Sequence, residues 1–416
     1  MATSVLITGG AGFLGSAIID AVQEQHPEWV VTVLDLKSPR VPKPNIVYKS
    51  GNITDAASVN TLVVEIKPDV IIHSAGLVPE LAFRYGREQR DRVFNVNVNG
   101  TRNMLAAAKS SDVKAFVWTG SCTAITDDMK YQYRNIDERW PTSSQSLIYG
   151  ESKTAAEALV LGACDEKLAT CALRPSVIFG PGDYQLIPSI HACIAKGETP
   201  FVVGDGENLW DVTYVGNVAD AHVLAVENLL STKTAAGEAI FISNNEPIPF
   251  RDFCLEVWKN FGHFPSYEVH IPVSLATLVG YIAEVATWVT GSTTTLSRGS
   301  VLDACGTRYC SGEKARKVLG YKPRMSIEEG IRISCMVSLR RYLTLNIPES
   351  SLAKLKKEYA QRLKLSGANV QLAPRRRPLE PDSGMSTGNI AFFWARYTTA
   401  GGTWETNRDA IMRRKG

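Results

Sequence analysis

Tyr149 and Lys153 stand four residues apart, one turn of a helix, and so share a helical face. A phenol beside an ammonium can exchange a proton with an alcohol. The positive charge favours the phenolate and draws the phenol below its ordinary pKa of about 10. With 14 tyrosines in the chain, ~0.7 pairs at this spacing are expected by chance. Only this pair is present, so its meaning rests on what surrounds it.

A second group of residues is made for phosphate. In Thr8-Gly9-Gly10-Ala11-Gly12-Phe13-Leu14-Gly15, glycines recur at 9, 12 and 15 between an apolar run and an amphipathic stretch. Gly9 permits a tight turn. Gly12 leaves room for a diphosphate against the backbone. Gly15 lets strand and helix pack closely, and the helix amino end then faces the phosphates. Asp35 closes the next apolar run, 20 residues beyond Gly15. A carboxylate there accepts from a ribose 2′-hydroxyl and repels a 2′-phosphate. The pattern points to NAD, with NADP the alternative because Lys37 and Arg40 lie close to Asp35.

The elements that position these residues follow from the apolar pattern. Short runs rich in branched or aromatic side chains occur at 5–8, 30–34, 46–48, 70–73, 115–119 and 171–173. Amphipathic stretches separate most of them. That alternation predicts an α/β fold, a Rossmann-type doubly wound parallel sheet over residues 1–180. After Pro175, prolines and glycines punctuate residues 181–210. A strand over 238–242 and a helix over 251–261 follow. Residues 181–345 are expected to form a smaller, interlaced α/β substrate lobe, with elements from about 205–245 returning to the first domain. Ser326 with Glu329 predicts a capping box that opens a helix running toward Tyr342. A charged helix is expected within 346–365. Residues 366–416, with Arg375-Arg376-Arg377 and many Pro, Gly, Ser and Thr, read as a disordered tail in which Phe392 to Trp394 could still dock.

Composition excludes several classes. Residues 366–416 hold eight basic and four acidic residues, which leaves 37 basic and 38 acidic in the body. The body is therefore almost neutral, and no nucleic-acid partner is called for. Eight dispersed cysteines and six histidines show no metal-ligand spacing, and reduced thiols in a cytosol-facing compartment are the simplest reading. The first strand begins at Ser4, which leaves no room for a signal peptide.

Taken together, the motifs resemble those of the extended short-chain dehydrogenases, and within them the 3β-hydroxysteroid dehydrogenase family, over residues 3–340. The resemblance is carried by the glycine loop, His73-Ser-Ala-Gly76, Asn97-Val-Asn-Gly-Thr101, Trp118-Thr-Gly-Ser121, Tyr149-Gly-Glu-Ser-Lys153, Leu173-Arg-Pro175, Phe179-Gly-Pro-Gly-Asp183, Asp211-Val-Thr-Tyr-Val-Gly-Asn217 and Leu319-Gly-Tyr-Lys-Pro323. It implies NAD-dependent oxidation of a 3β-hydroxyl on a sterol or related terpenoid. In one branch of the family a 4α-carboxylate is also lost as carbon dioxide. It makes Ser121 a third catalytic residue, which holds the substrate oxygen. It adds Phe13, Leu14, Asn52, Ile53, Ala75 and Asn97 to Gly9, Gly12, Gly15, Asp35 and Lys153 as cofactor contacts. Asn52 departs from the family's usual Asp, and Gly120 from a frequent Ser. His73 and His222 are expected as structural histidines.

Relatives that act on nucleotide sugars carry an Arg before the position of Asp211, where it clamps a diphosphate. Here Leu209 and Trp210 precede Asp211. They read either as an apolar wall for a flat ring system or as core. Residues 271–290 carry one charge, Glu284, and a stripe of Leu275, Leu278, Ile282, Val285 and Val289. An interfacial helix in peripheral contact with a membrane and a helix covering the second lobe fit that stripe equally. A sterol substrate places the protein in the cytoplasm or on the cytosolic face of the endoplasmic reticulum, and a homodimer is left open. The rival readings are a ketone reductase or nucleotide-sugar epimerase of the same fold, and a non-catalytic cofactor-binding protein. An intact Ser121, Tyr149 and Lys153 argues against the last.

Overall fold

The computed structural model describes residues 2–39, 41–79, 83–128, 131–142, 147–290 and 297–346. Arg40, the expected charged helix beyond residue 346, the tail at 366–416 and its aromatic triplet lie outside the described residues. So do the side chains of Trp288, Val289 and Tyr342.

Eight described strands precede residue 180: β1 (Ser4–Thr8), β2 (Val30–Asp35), β3 (Ile46–Ser50), β4 (Val70–His73), β5 (Ala115–Thr119), β6 (Tyr133–Ile136), β7 (Ala169–Pro175) and β8 (Val177–Phe179). Seven follow: β9 (Phe201–Val203), β10 (Leu209–Trp210), β11 (Val212–Tyr214), β12 (Ala239–Ile242), β13 (Ile248–Pro249), β14 (Val269–Ile271) and β15 (Arg308–Cys310). The main sheet is parallel throughout and runs β12-β7-β5-β4-β1-β2-β3. This is the doubly wound Rossmann arrangement that the alternating runs predict.

The strands are apolar on both faces, and alternate residues go to opposite layers. Val5, Ile7, Val70, Ile72 and Val117 pack with Ile18, Ile19 and Val22 of helix Phe13–Gln25 and with Val218 and Val226 of helix Val215–Leu230. Leu6, Ile71, Phe116 and Trp118 face the other way, onto Met104 and Val160. Burial of each such side chain is worth ~1.5–3 kcal/mol, so two-sided burial holds this sheet. Sheet order grows from β1 toward β3 on one side and from β4 outward on the other. The carboxyl ends of β1 and β4 therefore part and leave a crevice at the switch point.

After β8 the chain builds smaller sheets. One runs β13-β10-β15-β6, and β11 pairs with β8 and β14 with β9. A separate core of Phe179, Ile187, Phe253, Val257, Trp258 and Ile331 joins helices Leu186–Lys196, Phe250–Asn260 and Ile327–Asn346. The Ser326 hydroxyl accepts from the Glu329 amide at 3.3 Å, but the Glu329 carboxylate turns to Arg332. Half of the expected capping box is thus formed.

Helix Val273–Thr290 is the surprise of this region. Its large side chains do not cover the lobe. Leu278 and Ile282 are 55% and 58% exposed, and Leu275, Val279, Tyr281 and Val285 are exposed with them. Ala276 and Gly280 face inward instead. A Cβ on Gly280 would stand 2.8 Å from the Ser297 carbonyl carbon, so small residues set the packing against helix Arg298–Cys305. Among the described residues no helix is long and apolar enough to cross a membrane.

Candidate active site

The glycine loop lines the crevice. Gly9 has φ +72°, and a Cβ on it would stand 2.8 Å from the Ala75 Cα. Only glycine makes this turn without strain. A Cβ on Gly15 would stand 2.1 Å from the Gly9 carbonyl oxygen, so the helix reaches the loop only because that atom is missing. Added to Gly12, it would meet nothing closer than the Gly9 oxygen at 3.1 Å. Gly12 is also the N-cap of helix Phe13–Gln25 and brings no side chain to it. The first N–H groups of the helix, at Phe13, Leu14 and Gly15, therefore face an approachable backbone. A dinucleotide diphosphate fits this cradle. Asp35 ends β2, and its Oδ2 accepts from the Ala11 amide at 3.0 Å, which holds the carboxylate against the loop.

The other residues assigned to the cofactor divide. Ala75 lies beside Gly9 at the crevice, its amide 3.2 Å from the Thr8 hydroxyl. Phe13 and Leu14 are half-buried on the first turn. Asn52 is exposed, and its side-chain carbonyl accepts from the Thr54 amide at 3.0 Å, so its NH2 is the group that faces outward. Ile53 is a core residue packed under Gly100. Asn97 is buried and fully engaged. Its Oδ1 accepts from the Leu77 amide at 2.7 Å, and its Nδ2 donates to the Leu77 carbonyl at 3.0 Å and to the Ser152 hydroxyl at 2.9 Å. It ties the segment after β4 to the helix of Tyr149.

Tyr149 is half-buried at the start of helix Ile148–Gly162. Its phenol lies close enough to the Ser121 hydroxyl for that group to favour the phenolate. Ser121 Oγ accepts from the Thr123 hydroxyl at 2.8 Å and from the Thr123 amide at 3.2 Å. The Ser121 proton is then the one that can be given to a neighbouring oxygen. Thr123 was legible only as a neighbour of Ser121, and its orienting role comes from the structure.

Lys153 corrects an expectation. Its Nζ donates to the Thr119 carbonyl at 2.9 Å and lies 4.8 Å from the Trp118 ring centroid but 5.8 Å from that of Tyr149. Burial lowers the Lys153 pKa to about 8. Burial likewise pushes the Tyr149 phenol above its usual value, with Cys122 and Asp127 adding to the rise and Ser121 and Arg84 opposing it. Desolvation outweighs Ser121 and Arg84, so the resting group is a neutral phenol. A Cβ on Gly76 would stand 3.5 Å from Lys153 Nζ, so Gly76 packs directly against the buried ammonium.

Beside Tyr149 lies a cluster that the sequence does not announce. Asp127 Oδ2 accepts from the Gly150 amide at 3.1 Å, and burial raises its pKa to about 7. Asp303 receives the Tyr85 hydroxyl at 2.7 Å and is ion-paired with Arg308. Arg84 stands 3.9 Å from the same carboxylate. The Arg308 guanidinium lies 3.9 Å over the Trp210 ring, which itself stacks on Phe250 and donates to the Gly306 carbonyl at 3.1 Å. Trp210 is thus core, and it serves the cluster as a floor. His73 is held between the Thr8 and Thr101 hydroxyls at 2.6 and 3.1 Å. His222 sits between the Thr119 hydroxyl and the Val218 carbonyl, each at 2.8 Å. Burial lowers their pKa values to about 3 and about 4, so both are neutral structural histidines.

Comparison with known proteins agrees with this geometry. Residues 6–273 match the 3-beta hydroxysteroid dehydrogenase/isomerase family. The chain is 37% identical over 346 residues to a decarboxylating sterol-4-alpha-carboxylate 3-dehydrogenase of Candida albicans, covering 79% of this chain and 95% of that protein. The corresponding Saccharomyces cerevisiae enzyme is 36% identical over 343 residues with the same coverage. Among solved structures, a UDP-glucose 4-epimerase of Thermotoga maritima superposes with a TM-score of 0.64 at 21% identity, over 82% of this chain and all of that one. The Bordetella bronchiseptica enzyme WbmH, in complex with NAD+, gives 0.63 at 19% identity, over 82% of this chain and 99% of that one. These structures share the fold.

Proposed function

The chain belongs to the 3-beta hydroxysteroid dehydrogenase/isomerase family, and from that premise we propose that it oxidises the 3β-hydroxyl of a sterol bearing a 4α-carboxylate and releases that carboxylate as carbon dioxide. The observation that carries the reading is the Tyr149–Ser121 pair at the crevice of a chain so similar to decarboxylating sterol dehydrogenases.

The cofactor is NAD, which when bound supplies the acceptor for the C3 hydride. The loop at Gly9, Gly12 and Gly15 with the N–H groups of Phe13 and Leu14 would hold the diphosphate, and Asp35 would take the ribose hydroxyls and disfavour a 2′-phosphate. Lys153, anchored on Thr119, offers its remaining N–H groups to the crevice. With its own proton released to solvent, as the positive nicotinamide ring of bound NAD would favour, Tyr149 accepts the proton of the C3 hydroxyl, and Ser121 donates to that oxygen as it becomes a carbonyl. The product is a β-keto acid. Its C4–carboxylate bond breaks, and the electron pair moves through C4 to the C3 oxygen as carbon dioxide leaves. Ser121 and Tyr149 stabilise the enolate oxygen, and a proton added at C4 completes the ketone.

A sterol partitions into bilayers. The exposed stripe of Leu275, Leu278, Ile282 and Val285 supports peripheral contact with the cytosolic face of the endoplasmic reticulum membrane. To test the reaction, a 4α-carboxy-3β-hydroxysterol is supplied with NAD while NADH and carbon dioxide are followed together. One carbon dioxide per NADH is expected, with slower turnover on NADP. NADH from plain 3β-hydroxysteroids but none from the carboxylated sterol would sink the decarboxylating assignment.

A further inference from the structure

We propose that Arg84 is the specificity residue for the substrate's C4 carboxylate, which it takes up as its ion-pair partner beside Ser121 and Tyr149. The inference rests on the decarboxylating reading above and deepens it by assigning the anion a place.

Three observations meet at this point. First, Arg84 lacks a good partner. Its only ion pair among the described residues spans 3.9 Å, too long for a hydrogen bond, while the Asp303 carboxylate is occupied by Arg308 and the Tyr85 hydroxyl. Among the described residues no acceptor stands within hydrogen-bonding distance of this five-donor guanidinium, so it has donors to give an incoming anion. Its side chain is one-third exposed, so an anion can reach it. Second, the neighbouring arginine is short of acceptors too, since among the described residues Arg308 Nη2 is buried without a hydrogen-bond partner. Third, the charges do not balance. Arg84 and Arg308 face Asp303 and Asp127, and burial raises the Asp127 pKa to about 7. Below neutral pH, where Asp127 is mostly protonated, these four groups carry one surplus positive charge.

The position is right for C4. Arg84 is near enough to Tyr149 for each to feel the other's charge. Its segment is clamped onto the catalytic helix three residues later, where Arg87 binds Glu151 with two bonds of 2.6 and 3.0 Å. Asp127, which also faces Arg84, is bonded to the backbone amide next to Tyr149. C4 is bonded to C3, so a carboxylate on C4 lies beside the oxygen that Ser121 and Tyr149 hold. Arg84 would turn from Asp303 to accept it. Once carbon dioxide has left, the ketone has no charge, Arg84 returns to Asp303, and the product has lost its ionic hold.

The test compares two sterols that differ only in the 4α-carboxylate, at saturating NAD, with wild type, Arg84→Met and Arg84→Lys. The readout is the ratio of kcat/KM for the carboxylated sterol to that for its partner. Arg84→Met should lower this ratio roughly 10- to 100-fold, mostly through KM, as expected for a lost hydrogen-bonded charge. Arg84→Lys should restore part of it. NAD binding, followed by fluorescence, reports whether each variant is folded. Equal losses on both sterols would show that Arg84 acts on Tyr149 or on the fold and would overturn the proposal, as would an unchanged ratio. A wild type that oxidises neither sterol would remove the proposed function itself. A wild type that oxidises both without preference would remove only the role of Arg84.

Discussion

Around the glycine loop, the interior is built from apolar side chains and neutral polar groups with their bonds made. Val5, Ile7 and Ile72 fill one layer and Leu6 and Ile71 the other, while His73, His222 and Asn97 each bridge two partners. On the substrate side the distribution is inverted. Asp127 and Asp303 are buried beside Arg308 and the partly exposed Arg84, and Leu275, Leu278, Ile282 and Val285 stand outside. The first arrangement suits a site that must be rigid before its ligand arrives. The second suits one whose ligand completes it, an apolar ring system carrying a single anion. A charged interior short of partners and an apolar exterior short of cover ask for the two ends of one molecule and the medium that delivers it.

The largest expected effect tests whether chemistry sits at the meeting of the two regions. Tyr149→Phe leaves the loop, Asp35 and the packing of helix Ile148–Gly162 in place. NAD binding should persist while kcat falls by about 10²–10⁴, the usual worth of a positioned acid–base group. Binding by fluorescence and turnover by NADH absorbance in one preparation decide the matter. Turnover near wild type would remove Tyr149 from the mechanism.

Asp127→Asn sharpens the contrast between paired and unpaired interiors. In the unfolded chain Asp127 ionises near pH 4, and in the folded protein near pH 7. Between those values the folded state binds the extra proton, so this group's contribution to stability is full at low pH and is lost as pH rises through about 7. The amide removes the titration and can still accept from Gly150. The Tm of the variant relative to wild type should therefore rise between pH 5 and pH 8, by an amount equivalent to a few kcal/mol at most. An unchanged difference would mean that Asp127 ionises as an ordinary carboxylate and that the cluster is charge-balanced.

The two regions were unequally legible in the sequence, for a physical reason. The glycine spacing, Asp35 and the strand runs express local constraints, because a turn, a close approach and two-sided burial each leave a mark within a few residues. Ser121, Tyr149 and Lys153 were proposed from their motifs, but the sign of the electrostatics around them could not be read there. Burial decides that sign, and it is a property of the assembled site. The Arg84, Asp127, Asp303 and Arg308 cluster draws on three distant segments, so no spacing reveals it. Its faint signal was Asp127 and Asp128 so soon after Ser121. Asn97 was flagged by its motif as a cofactor contact, and the structure adds that its side chain binds Leu77 and Ser152. In helix Val273–Thr290 periodicity identified the stripe but not its direction. Ala276 and Gly280 repeat at helical spacing too, and only the close approach to Ser297 shows that the small face is the inner one.

That outward stripe gives the smallest and most specific prediction. Leu278→Asp with Ile282→Asp changes two side chains that are more than half exposed, so the fold loses little. Each apolar side chain that enters an interface contributes on the order of 1 kcal/mol, and each new carboxylate opposes an anionic surface. Binding to vesicles containing phosphatidylserine should weaken about 10-fold or more by flotation. Turnover of sterol dispersed in detergent should stay within about two-fold of wild type, because neither side chain is part of the cluster beside Tyr149. Turnover of the same sterol embedded in vesicles should fall with the binding. Unchanged flotation would show that the stripe is not a bilayer contact. The contrast between the two regions would then rest on the charged interior alone.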